Sequence, residues 1–133
     1  MKKIVFMLFL LAFSCEVLAE SCAGGQGVVI VAVNGKKYCR SKISMNWWSS
    51  HAWCDAAEGV SKLVDPNEDC SCVGTSGCDT TVSCPNFKGV GGGYIWTKSS
   101  FASDAAYKIH LSTGEIDSSY GFHRNNSFPA LCK

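Results

Sequence analysis

Met45-Asn46-Trp47-Trp48-Ser49-Ser50-His51-Ala52-Trp53-Cys54 carries three of the chain's four tryptophans and a cysteine in one run. Trp47, Ser50, Cys54 and Ala57 follow one another at spacings of three, four and three, which places them on a single helical face. Ser44 or Asn46 can cap the helix, because a short polar side chain there accepts a hydrogen bond from a backbone N–H with no helical partner. Gly59 is placed to end it in the left-handed region. A helix is therefore expected over Asn46 to Glu58, with the core forming against it and Cys54 bridged to a distant part of the chain. Trp48 and Trp53 fall off the stripe, so at least one of them should pack on a second element or stay partly exposed.

Outward from this helix, the pattern is that of short strands. Val28 to Val33 is an unbroken, largely β-branched run of strand-like composition. Asn34-Gly35 supplies the two positive-φ residues of a tight hairpin turn, and Lys36 to Arg40 returns antiparallel. That register places Cys39 opposite Ile30. After the helix, Leu63-Val64 reads as a short strand ending at Asp65-Pro66. Asn67 to Cys84 has little apolar content and four cysteines, so it requires stapling. Pro85 to Gly93 is a loop, with a triple glycine leading into the strand Tyr94 to Thr97. Tyr107, Ile109 and Leu111 alternate with Lys108 and His110, the period of a half-buried strand. Ser112-Thr113-Gly114 turns it into Glu115-Ile116-Asp117. The polar segment Ser118 to Ser127 leads to a terminal strand, Phe128 to Cys132.

Length and composition bound the class. A chain of 133 residues has room for one domain with a modest core. Lys2 and Lys3, the apolar run Ile4 to Phe13 and the small-residue end Val17-Leu18-Ala19 form a secretory signal peptide, residues 1–19, cut after Ala19. A lipoprotein cut at Cys15 is disfavoured, since Ala12-Phe13-Ser14 matches the leucine-led box poorly. The mature domain, residues 20–133, keeps Cys22, Cys39, Cys54, Cys70, Cys72, Cys78, Cys84 and Cys132. An even set in an exported domain is a disulfide framework, although eight cysteines allow 105 pairings. Cys70 and Cys72 reach to Cys78 and Cys84 in one of two arrangements. Twelve basic residues less Lys2 and Lys3, and eleven acidic less Glu16, leave ten of each. A balanced surface argues against nucleic acid or anionic membrane as a general partner. The local basic group Lys36, Lys37, Arg40 and Lys42 reads as the solvated side of a hairpin.

An opening hairpin, the helix residues Met45, Trp47, Ser50, Cys54, Gly59 and Leu63, the middle motifs Cys84-Pro85-Asn86-Phe87 and Tyr94-Ile95-Trp96, and the closing Ala130-Leu131-Cys132 together resemble the C-type lectin-like domain. The similarity is to the compact bacterial members on exported and pilin-associated proteins. It implies an α+β fold, small and disulfide-rich, with one main helix and antiparallel hairpins. It also implies a Cys54–Cys132 bridge joining helix to last strand, and Cys22–Cys39 as an additional N-terminal bridge. The family's second internal disulfide has no counterpart, because no cysteine lies between Cys84 and Cys132. The Glu-Pro-Asn or Gln-Pro-Asp triplet and the Trp-Asn-Asp motif of its calcium-dependent sugar sites are absent too. Too few oxygen ligands stand in the expected places for calcium, so calcium-dependent sugar binding is not expected.

No other chemistry is written strongly in the chain. His51, His110 and His123 have no metal-cluster spacing, and His51 is read as satisfying a local hydrogen bond. Cys70-Ser71-Cys72 with Cys78 and Cys84 could ligate zinc in a reducing cell, but export favours disulfides, so neither metal nor cofactor is expected. No Gly-x-Ser-x-Gly elbow is present, and Glu68-Asp69 and Glu115-x-Asp117 read as turn and strand-end residues, so an enzyme is not expected. The best-suited ligand segment is Ser118 to Ser127. Its Tyr120, Phe122, His123, Arg124, Asn125 and Asn126 mix aromatic faces with fork and amide donors. Asn125-Asn126-Ser127 matches the glycan acceptor pattern, a weak signal beside a leader of bacterial type. The expected function is a secreted, periplasmic or cell-surface binding module, not membrane-spanning, that recognises a protein or glycan without calcium. The alternative is a structural or accessory component of a surface assembly such as a pilus.

Overall fold

The computed structural model describes residues 20–70, 83–102, 105–117 and 126–133, the side chains of residues 101, 102 and 105 apart. In chain order the strands are β1 (Ser21–Cys22), β2 (Gly27–Val31) and β3 (Lys37–Met45). The helices α1 (Trp47–Ala56) and α2 (Pro66–Asp69) come next. The strands β4 (Tyr94–Ala102), β5 (Ala105–His110), β6 (Ile116–Asp117) and β7 (Phe128–Cys132) complete the domain. All seven strands form one sheet in the order β1-β2-β3-β7-β4-β5-β6. Pairing is antiparallel except between β4 and β7, which run parallel with Trp96 opposite Ala130. The fold is thus α+β with a mixed sheet, and the last strand lies at its centre.

Alternation along the strands divides the core into two layers. On one face Trp96, Ala130 and Cys132 join Trp47, Cys54, Leu63 and Ala106 beneath α1. On the other, Tyr38, Ile95, Ile109 and Leu131 pack with Val64, Cys70, Cys84 and Phe87, so this cover is irregular chain and α2 instead of a long helix. Pro85 to Gly93, expected as loop, opens with a 3-10 turn over Pro85–Phe87 that sinks Phe87 completely. Burying a phenylalanine contributes roughly 1.5–3 kcal/mol, enough to order a turn that composition alone reads as irregular.

The helix starts where its cap is strongest. Asn46 accepts from Ser49 N at 2.8 Å, and Trp47, Ser50 and Cys54 are buried. It ends at Ala56, two residues short of the expected Glu58, because Ala57 is extended and Gly59 has φ +79°. Trp48 remains 58% exposed, while Trp53 packs against the core layer under α1. Two indoles tie α1 and its entry to the sheet. Trp47 Nε1 donates to Thr97 O at 2.7 Å, and Trp96 Nε1 donates to Met45 O at 2.8 Å.

Four sequence expectations need correction. The opening hairpin has its turn one position earlier. Gly35 N donates to Ala32 O and Gly35 alone has positive φ, +88°, so Val33 and Asn34 occupy the turn's centre. The register moves accordingly, with Cys39 opposite Val29 and not Ile30. A one-residue shift exchanges the faces of every side chain in the returning strand. The cause is tertiary: Val33 N and Asn34 N donate to Asn86 O and Oδ1 at 2.8 and 3.0 Å. Second, Leu63-Val64 is no full strand, since Leu63 forms only an isolated bridge to Cys132. Third, Asp65 and Pro66 open a helix. Asp65 accepts from Asn67 N, and Pro66 occupies the first turn, where a missing N–H costs nothing. Fourth, the strand expected to stop at Thr97 continues to Ala102.

Cys22–Cys39, Cys54–Cys132 and Cys70–Cys84 are bridged. For Cys70 this selects one of the two arrangements left open, and Cys72 and Cys78 lie outside the described residues. So do residues 1–19. Among the described residues no helix is long and apolar enough to cross a membrane.

Candidate functional site

Of the ligand segment expected at Ser118 to Ser127, residues 118–125 lie outside the described residues, including Tyr120, Phe122, His123, Arg124 and Asn125. Asn126 and Ser127 are exposed at the entry to β7. What is defined is the surface from which the segment departs and to which it returns. Asp117, at the end of β6, faces Lys108 Nζ at 3.8 Å. Phe128, at the start of β7, lies under the same ammonium, 4.7 Å from Nζ to ring centroid, and Tyr94 lies 4.3 Å from it. Lys108 is thus held between two rings and a carboxylate, with 14% of its side chain exposed. Tyr94 also meets His110 edge-on at 4.7 Å, and Phe128 meets Trp96 at 4.9 Å. Cross-strand pairing of Tyr94 with His110 and of Trp96 with Lys108 sets these groups on one face, so an aromatic and cationic floor joins the two stems.

His110 is also the point at which serine–histidine chemistry can be weighed. Ser112 Oγ lies 2.7 Å from its Nδ1, but Thr113 Oγ1 at 3.2 Å shares that nitrogen. Ser112 and Thr113 both belong to the turn that follows β5, so these contacts are those of a turn bound to its own strand, and among the described residues no third group orients the ring as a triad requires. His51 is packed into the structure beside the helix's first tryptophan. Its Nε2 is buried with no hydrogen-bond partner among the described residues, and its ring meets Trp47 edge-on at 4.4 Å. Burial, opposed by Asp55, holds its pKa below the usual histidine value. Among the described residues no cluster of three or more His, Cys, Asp or Glu could hold a metal ion.

The Glu68-Asp69 pair forms a polar knot. Asp69 is buried, and it accepts from Tyr38 Oη at 3.0 Å, Asp65 N at 2.8 Å and Lys133 Nζ at 2.9 Å. Lys133 Nζ also donates to Glu68, which Lys62 approaches to 3.7 Å. Asn86 Nδ2 donates to Asp69 O at 2.9 Å. Both Asp69 carboxylate oxygens accept from protein donors, so this carboxylate clamps α2, β3 and Lys133 together, the arrangement of a structural anchor.

Comparison with family models, with curated proteins and with solved structures returned no match.

Sequence reading missed a second surface. The basic group around the hairpin separates into two kinds of residue. Lys36 lies 3.9 Å from Asp69 and Lys37 3.2 Å from Glu20. Arg40 and Lys42 have no carboxylate partner among the described residues, and they line a cleft of about 350 Å³ with Val28, Ile30, Ser41 and Pro129. The cleft sits where β3 bulges against β7, between Arg40 opposite Leu131 and Ser44 opposite Pro129. In the bulge Ala130 N takes Ser41 Oγ as acceptor at 2.9 Å in place of a backbone carbonyl. Charge spacing flags the group, but only the fold reveals which of its members lack a counter-charge.

Proposed function

We propose that the mature chain is an exported, non-catalytic binding module of C-type lectin-like fold that recognises a protein or glycan without calcium through Ser118 to Ser127. The observation that carries this reading is Lys108, which contacts Asp117 at one stem of that segment and Phe128 at the other. Holding both flanking residues on one surface lowers the ordering cost of presenting the intervening side chains to a ligand. The fold part of the proposal is supported by the Cys54–Cys132 bridge from α1 to β7 and by β7 pairing with the opening hairpin. Disulfides in the domain are compatible with export. The test is equilibrium binding of the folded, oxidised protein on glycan and host-protein arrays, with and without chelator. The expected outcome is a ligand at micromolar concentration, unaffected by chelator and lost in a Tyr120→Ala/Arg124→Ala variant. Absence of any ligand, or one that this variant still binds, overturns the proposal.

The second reading, a structural component of a surface assembly, is favoured by the apolar side chains left in solvent. Val31, Val33, Ile43 and Trp48 are each at least half exposed. On this reading the protein co-fractionates with surface appendages, and a strictly monomeric, freely released protein rules it out.

A further inference from the structure

We infer that the cleft between Arg40 and Lys42 is a binding site for a carboxylate carried on an extended aliphatic peptide of a partner protein. The inference rests on reading the domain as a binding module, but it assigns recognition to residues outside Ser118 to Ser127. Lys36, Lys37, Lys62, Lys108 and Lys133 each lie within 4 Å of a carboxylate. Arg40, Lys42, Lys88 and Lys98 have none among the described residues, and of these only Arg40 and Lys42 share one concavity. Arg40 is half-buried, and its guanidinium donates no hydrogen bond to a described residue. A half-desolvated fork of five N–H donors leaves its binding capacity to an incoming acceptor, and two parallel N–H···O bonds to a carboxylate are its best-matched use.

The backbone makes room for that guanidinium. A Cβ at Gly91 would stand 3.4 Å from Arg40 Nη1 and 3.3 Å from Leu111 Cδ1, so the glycine backbone runs directly alongside the guanidinium and forms one side of its berth. The bulge in β3 belongs to the same construction, because such irregularities re-aim side chains out of the regular pleat.

The walls decide the ligand class. Val28, Ile30 and Pro129 are aliphatic, and no lining residue is aromatic. A sugar acid would lack the ring face on which saccharides stack, whereas alternating aliphatic and acidic side chains of an extended peptide match both the wall and the cations. A volume of about 350 Å³ is at the lower end of ligand-site sizes and suits a carboxylate with one or two aliphatic neighbours.

The probe is an acetylated, amidated hexapeptide of alternating valine and glutamate, titrated into the oxidised protein at low salt by calorimetry and amide chemical-shift mapping. Expected are saturable binding, shifts concentrated at Val28, Ile30, Arg40 and Lys42, at least tenfold weakening by Arg40→Gln and about threefold weakening by Lys42→Gln. Lys88→Gln, the same charge change outside the cleft, leaves affinity unchanged. Thermal midpoints are measured for each variant, and Lys42→Glu at an exposed position abolishes binding with the fold kept. Equal affinity for the glutamine version of the peptide overturns the inference, as does equal loss in Lys88→Gln. Displacement by inorganic phosphate at the peptide's own concentration also overturns it, in favour of a general anion site. Array binding through Tyr120 and Arg124 is indifferent to Arg40→Gln, so the two readings fail separately.

Discussion

Asp69 gathers more of the molecule than any nearby side chain, since α2, β3 and Lys133 meet on its oxygens. Breaking a buried ion pair by removing one partner leaves the other charge uncompensated, at a cost of about 3–5 kcal/mol. Asp69→Ala should therefore lower stability by that amount in urea denaturation, and Tyr38→Phe by about 1 kcal/mol, the net worth of one hydrogen bond. The same knot sets an alkaline limit. Burial, then the Asp69 charge and hydrogen bond, push the Tyr38 phenol well above its ordinary value. Lys133 is also raised: burial, the largest effect, acts to lower it and is outweighed by its hydrogen bonds to Asp69 and Glu68. Above about pH 10 the unfolded chain loses protons that the folded chain retains, so stability falls as pH rises. Unfolding midpoints between pH 8 and 11.5 should decline, and the decline should be shallower in Tyr38→Phe. His51 acts at the other end. With its pKa depressed by burial, the unfolded state takes up the proton first below about pH 6.5, and His51→Gln should flatten the stability loss between pH 7 and 5.

At the scale of elements, the hairpin tip shows where local chemistry yields to contacts far along the chain. Asn34-Gly35 encodes a turn, and the turn is there, but its type is chosen by Asn86, 52 residues away. Asn86→Ala removes the acceptor of Asn34 N and the donor to Asp69 O, leaving both unpaired at about 1–3 kcal/mol. Hydrogen exchange at Asn34 should accelerate, whereas Val33, bonded to the backbone oxygen of residue 86, should stay protected. α1 was legible because its signals are local: Asn46 as cap, a three-and-four spacing and Gly59 beyond the end. β5 and β7 were legible for the same reason, in their alternation and in a terminal apolar run. The hairpin register, the 3-10 turn that buries Phe87 and the parallel contact of β4 with β7 were not, since each depends on a partner more than 30 residues distant. Glycine 27 combines both kinds of information. A Cβ there would lie 2.5 Å from Cys39 Sγ and 2.9 Å from Arg40 O, so Gly27→Ala should displace the Cys22–Cys39 bridge and slow its formation, read by thiol titration during oxidative refolding.

Across the whole molecule, the bridges rank by how much chain they enclose. Cys54–Cys132 spans 78 residues, Cys22–Cys39 17 and Cys70–Cys84 14. The longest also joins α1 to the central strand, and both of its cysteines are fully buried in the layer beneath the helix. The candidate binding surfaces were only partly legible at this scale. A polar aromatic segment before β7 can be picked out by composition, but the contacts of Lys108 with the flanking residues Asp117 and Phe128, and the separation of Arg40 and Lys42 from their paired neighbours, arise only when residues distant in the chain take their places. Both surfaces border strands that pair with β7 or belong to it, so anything that frees β7 should loosen them together. In the chain-entropy description, closing a 78-residue loop stabilises by about 4.5 kcal/mol and a 17-residue loop by about 3 kcal/mol. The Cys54→Ala/Cys132→Ala variant should therefore lose about 1–1.5 kcal/mol more than Cys22→Ala/Cys39→Ala in guanidinium unfolding under oxidising conditions. Equal losses would mean that β7 is held mainly by its sheet partners, and the hairpin bridge would then matter as much as the one through the core.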